Sequence, residues 1–223
     1  ATLHAIFFGH QRADAAVARG LQPQGTYWYL DTRPDEHAAM PQHGWEGRLR
    51  LAARALDMRL KQDAFVSIVH GDLKDANLIM GCNDDDREIS NRRVPLVYDF
   101  QYCGKGCIGK DLAYFLTCGS DVDAALEPEL LAHYHQSLTQ QLQLHHSGDD
   151  SKSDHEMLPS LGELNTLLQL CICDLGRWMS GWGWWGKNRD SEIINVLDKL
   201  DNGKILATED DYVRAMGQVF PVL

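Results

Sequence analysis

The spacing of apolar positions along the chain changes period twice. Residues 1–19 set Leu3, Ile6, Phe7 and Val17 among alanines and predict one helix. Residues 21–44 are aromatic but broken by glycine and proline, which predicts irregular structure. Residues 46–62 bring Leu49, Leu56 and Leu60 back at helical spacing. The period then shortens to that of strands: Phe65–Val69, Leu78–Met80 and Val94–Tyr98 are short β-type runs. Between the last two lies a polar stretch, Cys82–Arg93, whose Asp84-Asp85-Asp86 predicts a hairpin tip. Helical spacing resumes over 112–118, 128–145, 161–179, 192–200 and 209–220. Ser147–Glu156 is almost free of apolar residues and predicts a mobile loop. Helices around a few short strands make an α+β pattern.

Composition narrows the function without naming it. The 223 residues suit one domain and, at 44% hydrophobic, a real core. With 21 Lys+Arg against 32 Asp+Glu the net charge is −11, which argues against a nucleic-acid surface. No run approaches the ~18 apolar residues of a membrane span, and the amino end lacks the charged and apolar regions of a signal peptide. The cysteines are Cys82, Cys103, Cys107, Cys118, Cys171 and Cys173, and their spacings are poor for zinc. Buried free thiols in a cytoplasmic protein are expected.

One segment carries chemistry. Residues 67–80 read Ser-Ile-Val-His-Gly-Asp-Leu-Lys-Asp-Ala-Asn-Leu-Ile-Met, so His70-x-Asp72-x4-Asn77 occupies a loop between two strands. The third strand ends in Tyr98-Asp99-Phe100-Gln101, and a hairpin can fold Asp99 back toward Asp72. Phosphoryl transfer uses such a set: one carboxylate orients and deprotonates the attacking hydroxyl, while oxygen ligands hold Mg²⁺ on the nucleotide phosphates. Asn77 and Asp99 have the hard oxygens that Mg²⁺ prefers.

His70-Gly71-Asp72-x4-Asn77 followed by Asp99-Phe100-Gln101 resembles the catalytic and metal loops of kinase-fold small-molecule phosphotransferases, the aminoglycoside phosphotransferase, choline kinase and ecdysteroid-kinase-like group. Gly109-Lys110-Asp111-Leu112 resembles that group's Asp-Leu helix start, and Leu3-His4-Ala5 the helix that precedes its catalytic loop. The resemblance implies a protein-kinase-like fold, with 1–223 forming its mainly helical carboxy-terminal lobe and a small β-hairpin carrying the loops. It implies Asp72 as catalytic base, Asn77 and Asp99 as Mg²⁺ and nucleotide ligands, and ATP as phosphate donor to the hydroxyl of a small acceptor. Lys74 would face the transferred phosphate, and His70 and Asp111 would brace the loop. A catalytic loop at residue 70 leaves no room upstream for the Gly-rich, nucleotide-covering lobe, so a fragment of a longer kinase is expected. The alternative is a non-catalytic, kinase-like binding module of pseudokinase type.

Gly71 stands where protein kinases carry Arg, and the stretch from Asp99 to Asp111 is too short for a peptide-docking segment, so a small molecule is the expected substrate. Gly71-Asp72-x2-Asp75 with Asp35-Glu36-His37 also fits part of a metallophosphoesterase pattern, but the Asn-His pair which that chemistry needs is missing. Gly181–Gly186 formally matches a dinucleotide loop, yet indoles fill its variable positions and no strand precedes it. Its tryptophans, with Trp178, pack the helical lobe or line an acceptor pocket, for which Trp182 and Trp185 are the candidates.

Overall fold

The structure is a computed structural model that describes residues 1–80, 95–119, 122–146 and 158–222. Nine helices and four short strands run in the order α1 (Thr2–Ile6), α2 (His10–Val17), α3 (Pro34–Ala39), α4 (Gly44–Lys61), β1 (Val66–Val69), β2 (Leu78–Met80), β3 (Pro95–Val97), β4 (Gly104–Cys107), α5 (Gly109–Cys118), α6 (Glu127–His146), α7 (Leu161–Trp182), α8 (Asp190–Asp201) and α9 (Glu209–Val219), counted among the described residues. The residues expected to form the acidic hairpin tip, with Cys82, and the polar loop at 147–156 lie outside that description.

The core forms where the apolar stripes of α4 and α7 meet. Leu49, Ala52 and Leu56 of α4 pack with Leu164, Leu167 and Cys171 of α7, and α5, α8 and α9 close around them. Helix α7 starts on a capping box: Ser160 Oγ accepts from the Glu163 amide at 3.2 Å, and Glu163 accepts from the Ser160 amide at 2.7 Å. Ion pairs inside this helical core are closed on themselves. Asp174 receives Lys110 at 3.2 Å and Arg177 at 3.0 Å, while Arg48 is bidentate on Asp201.

Two small antiparallel sheets sit on the helical base. β1 pairs with β4, Val66 opposite Cys107, and β2 pairs with β3, Leu78 opposite Val97. β4 reads Gly-Lys-Gly-Cys and has no alternation to announce it. Its partners make it a strand, β1 on one edge and Gln22 bridging Gly104 on the other. The single helix expected over 1–19 is two. Gly9 takes φ +89° between them and donates its amide to the Val66 carbonyl at 2.9 Å, so the chain turns onto the end of β1.

Residues 21–27, expected to be irregular, form a strap across this sheet and the loop that follows it. The Gly25 amide donates to Lys105 at 2.7 Å and the Thr26 amide to Tyr102 at 3.0 Å, while Lys105 returns its amide to Gln22 at 3.0 Å. Close approach requires small residues here: a Cβ on Gly71 would lie 2.2 Å from the Tyr102 carbonyl oxygen and 2.7 Å from the Thr26 nitrogen. Gly71 therefore has a local structural reason, independent of any substrate.

Candidate functional site

The loop from His70 to Asn77 is held from below by one carboxylate. Asp111, in the first turn of α5 and fully buried, accepts from the His70 amide at 2.8 Å and the Gly71 amide at 2.9 Å. His4 of α1 adds a third bond at 3.0 Å, and its other ring nitrogen meets the Tyr134 hydroxyl at 2.6 Å. Burial would raise the Asp111 pKa. The His4 hydrogen bond, the His4 charge and the two loop amides outweigh it, and the carboxyl is held below its ordinary range. His4 is thus part of the support, and sequence reasoning assigned it no role. Its signal was the Leu-His-Ala run at the start of the chain.

His70 orients the loop from inside. The Asp72 amide donates to its Nδ1 at 3.3 Å, so that nitrogen is unprotonated, and Nε2 donates to the Tyr98 carbonyl at 2.9 Å. The ring thereby ties the His70–Asn77 loop to the end of β3, and the Phe100 ring packs on it at 4.8 Å.

Three predicted side chains meet directly. Asp72 is buried, and its carboxylate receives Lys74 Nζ at 3.1 and 3.0 Å, one bond to each oxygen. Asn77 Nδ2 donates to the Asp72 carbonyl at 2.8 Å and to Oδ2 at 3.0 Å. Both Asn77 bonds use the amide nitrogen, which leaves Oδ1 available as a donor to a cation. Lys74 is tied into the loop rather than solvated apart from it.

Asp99 stands across the β2–β3 ladder. The Tyr98 amide donates to the Asn77 carbonyl at 3.2 Å, and the Tyr98 hydroxyl bonds to the Ala76 carbonyl, so the residue before Asp99 is fixed against the one that carries the amide. Asp99 itself takes φ +63°, a left-handed conformation that Asp tolerates better than most residues and that is concentrated at functional positions. It is exposed, and its only side-chain partner among the described residues is Gln101 at 3.3 Å. The donor set of one amide oxygen and one exposed carboxylate fits a hard divalent cation that keeps most of its water. No trio of His, Cys, Asp or Glu that could hold a metal converges among the described residues.

The aromatic residues split into two groups. Tyr27, Trp28, Tyr114 and Trp178 form a packed cluster, with Trp28 stacked on Tyr114 at 4.9 Å and the Tyr27 and Tyr114 hydroxyls bonded at 2.7 Å. Burial, with the Asp72 charge adding to it against the Tyr114 hydrogen bond, pushes Tyr27 up to about 12. Outside this cluster, Trp45, Trp184 and Trp185 line an open cleft of about 480 Å³ together with Glu46 and Asp190. Trp185 lines the cleft and packs edge-on against Trp178 at 4.9 Å, whereas Trp182 is exposed, stacks on Trp178 at 6.0 Å and does not line the cleft. The cleft reaches the His70–Asn77 loop through the end of α5. Trp185 bonds the Cys118 side chain, the Asp75 amide donates to Gly119 at 3.0 Å, and a Cβ on Gly119 would touch Lys74 Cα.

The other motifs are absorbed by structure. Gly181 packs so closely on α3 that a Cβ would overlap the Glu36 carbonyl, and the Gly-x-Gly run ends a helix instead of following a strand. Asp35 and His37 lie in α3, where His37 bonds the Arg50 carbonyl at 3.1 Å. The five described cysteines, Cys103, Cys107, Cys118, Cys171 and Cys173, are free thiols. No described helix is long and apolar enough to cross a membrane.

A loop of this design, with a hairpin carrying a second acid beside it, is similar in layout to the loops of kinase-like small-molecule phosphotransferases. Among known proteins, the model of the ecdysteroid kinase-like family matches residues 47–147, a little under half of the chain, in the stretch from α4 through α6 that contains Asp72, Lys74, Asn77, Asp99 and Asp111. A search of the curated proteins and of the solved structures finds no match.

Proposed function

We propose that the protein is a cytoplasmic, ATP- and Mg²⁺-dependent kinase that phosphorylates a hydroxyl of a small molecule, and that these residues form the carboxy-terminal lobe of a kinase-like fold. The observation that carries the reading is the Asp72–Asn77 contact with Asp99 registered opposite through β2 and β3. Asp72 accepts the proton of the acceptor hydroxyl as its oxygen bonds to the γ-phosphorus, and the bond from that phosphorus to the β–γ bridging oxygen breaks, releasing ADP. Lys74, already on the Asp72 carboxylate, lies where it can share its ammonium with the moving phosphoryl group. Asn77 Oδ1 and the Asp99 carboxylate would hold Mg²⁺, which supplies charge neutralisation on the nucleotide phosphates. Asp111, His4 and His70 keep the loop in place, and the cleft at Trp185, which Trp182 does not line, is the acceptor side.

The test uses protein expressed from its full coding sequence, with labelled ATP, MgCl₂ and a panel of small alcohols. Asp72→Asn and Asp99→Asn are each expected to lower turnover by ~10²–10⁴-fold while far-UV circular dichroism and melting stay close to wild type. Turnover near wild type in either variant would overturn the assignment.

A further inference from the structure

Two thiols away from the candidate site touch each other. Cys107 Sγ, at the end of β4, lies 3.6 Å from Cys171 Sγ, in the middle of α7, although 64 positions separate them. Both side chains are buried. Gly109 makes room for the contact, since a Cβ there would lie 2.9 Å from the Cys171 sulfur. Cys103, Cys118 and Cys173 make no sulfur–sulfur hydrogen bond among the described residues.

The pair is also within reach of a small reagent. Cys107 lines an open cavity of about 250 Å³ together with Lys61, Lys105, Lys110 and Gly25 of the strap. Lys110 is buried, and its carboxylate partner Asp174 is shared with Arg177, so two cations meet one anion beside the sulfurs. Burial holds the Cys171 thiol protonated, with the Lys110 charge opposing it. Cys107, which lines the cavity, is the sulfur placed to meet an oxidant first. A peroxide fits that cavity, whereas a bulky disulfide such as oxidised glutathione does not.

We propose that Cys107 and Cys171 are a modification site, at which hydrogen peroxide forms a reversible disulfide that staples the β4–α5 corner to α7. Cys107 Sγ, having given up its proton, attacks one peroxide oxygen. The O–O bond breaks, the departing hydroxide takes that proton to become water, and Cys107 is left as a sulfenic acid. Cys171 Sγ then attacks the Cys107 sulfur, the S–O bond breaks, and the hydroxyl leaves with the Cys171 proton as a second water. Two thiols lose two electrons, and the peroxide gains them. The sulfurs close from 3.6 Å to the ~2.05 Å of a disulfide. The staple lies at the start of α5, whose first turn carries the Asp111 carboxylate that holds the His70 and Gly71 amides.

The test treats the native full-length protein, and the same protein in urea, with hydrogen peroxide and maps disulfides by mass spectrometry of unreduced digests. A Cys107–Cys171 linked peptide is expected from the native sample and is lost on adding dithiothreitol. The bond closes a long loop, so the oxidised protein is expected to melt about 5–10 °C above the reduced one. Cys171→Ala, checked for its fold by far-UV circular dichroism, is expected to show no such rise; the wild-type digest decides the matter if that variant does not fold. Native protein in which the two cysteines stay unlinked, or in which either joins a different cysteine, would overturn the proposal. So would Cys107 found as sulfinic acid in place of the bridge, a link formed only in urea, or an oxidised protein that melts no higher than the reduced one.

Discussion

Replacing Gly71 by Ala probes the junction on which the candidate site depends. Gly71 has φ +84°, and its amide is held by Asp111 at 2.9 Å, so the residue cannot rotate away without breaking a buried bond. The added methyl would meet the Tyr102 carbonyl oxygen at 2.2 Å, the Thr26 nitrogen at 2.7 Å and the Tyr102 carbonyl carbon at 2.9 Å. All three are backbone atoms pinned by the Thr26–Tyr102 hydrogen bond. The left-handed conformation costs an L-residue about 1–2 kcal/mol. Forcing a methyl into a packed site costs about 1–3 kcal/mol more. The lower entropy of the unfolded Ala chain returns about 0.4–1 kcal/mol. The net loss is about 1–4.6 kcal/mol, which for a chain of this size is a fall in melting temperature of about 2–18 °C. Urea unfolding followed by circular dichroism measures it directly. Gly217→Ala is the matched control: it lies in α9 with nothing within 4 Å of its Cβ position, and it is expected to leave stability unchanged or raise it by up to about 1 kcal/mol. If Gly71→Ala unfolds within 0.5 kcal/mol of wild type, roughly the scatter of a surface change, the strap does not rest on the His70–Asn77 loop and the account of Gly71 is wrong.

Asp174→Asn removes the anion shared by buried Lys110 and Arg177 and is expected to cost about 3–5 kcal/mol in urea unfolding. His4→Ala strips Asp111 and Tyr134 of a buried partner. A loss of about 1–3 kcal/mol per orphaned group is expected, together with faster amide exchange at His70 and Gly71. Asp111 and Asp174 are both held below the ordinary value of 3.8, Asp111 against burial by His4 and Asp174 against burial by Lys110 and Arg177. A depressed folded pKa gives stability that is full above the unfolded value and is lost as pH falls through the folded one. Unfolding free energy should therefore decline below about pH 4, and Asp111→Asn should flatten that decline; an equally steep loss in the variant would refute the linkage.

What could be read from the sequence and what could not divides by the range of the interactions responsible. Helices α4 through α9 are visible because each has an apolar stripe at its own period, and β1 and β2 because valine, isoleucine and leucine flank a polar loop in so short a space. Asp72, Lys74 and Asn77 stand out as candidates for the same reason, since one short loop carries them, and the structure sets Lys74 and Asn77 on the Asp72 carboxylate. Residues whose state is decided by a distant partner were not. Gly104–Cys107 has no strand pattern of its own and becomes β4 only between β1 and Gln22. The helix break at Gly9 answers to Val66, and the strap at 21–27 to Tyr102 and Lys105. The aromatic residues show the limit most plainly. A run of tryptophans at 182–185 suggests an acceptor pocket, but nothing in that run says that Trp182 faces outward or that the complementary wall comes from Trp45 and Glu46, at the start of α4. That wall changes the chemistry, because a tryptophan surface by itself favours any flat apolar ligand. Glu46, held in place by Ser180 and Trp184, adds a carboxylate to it.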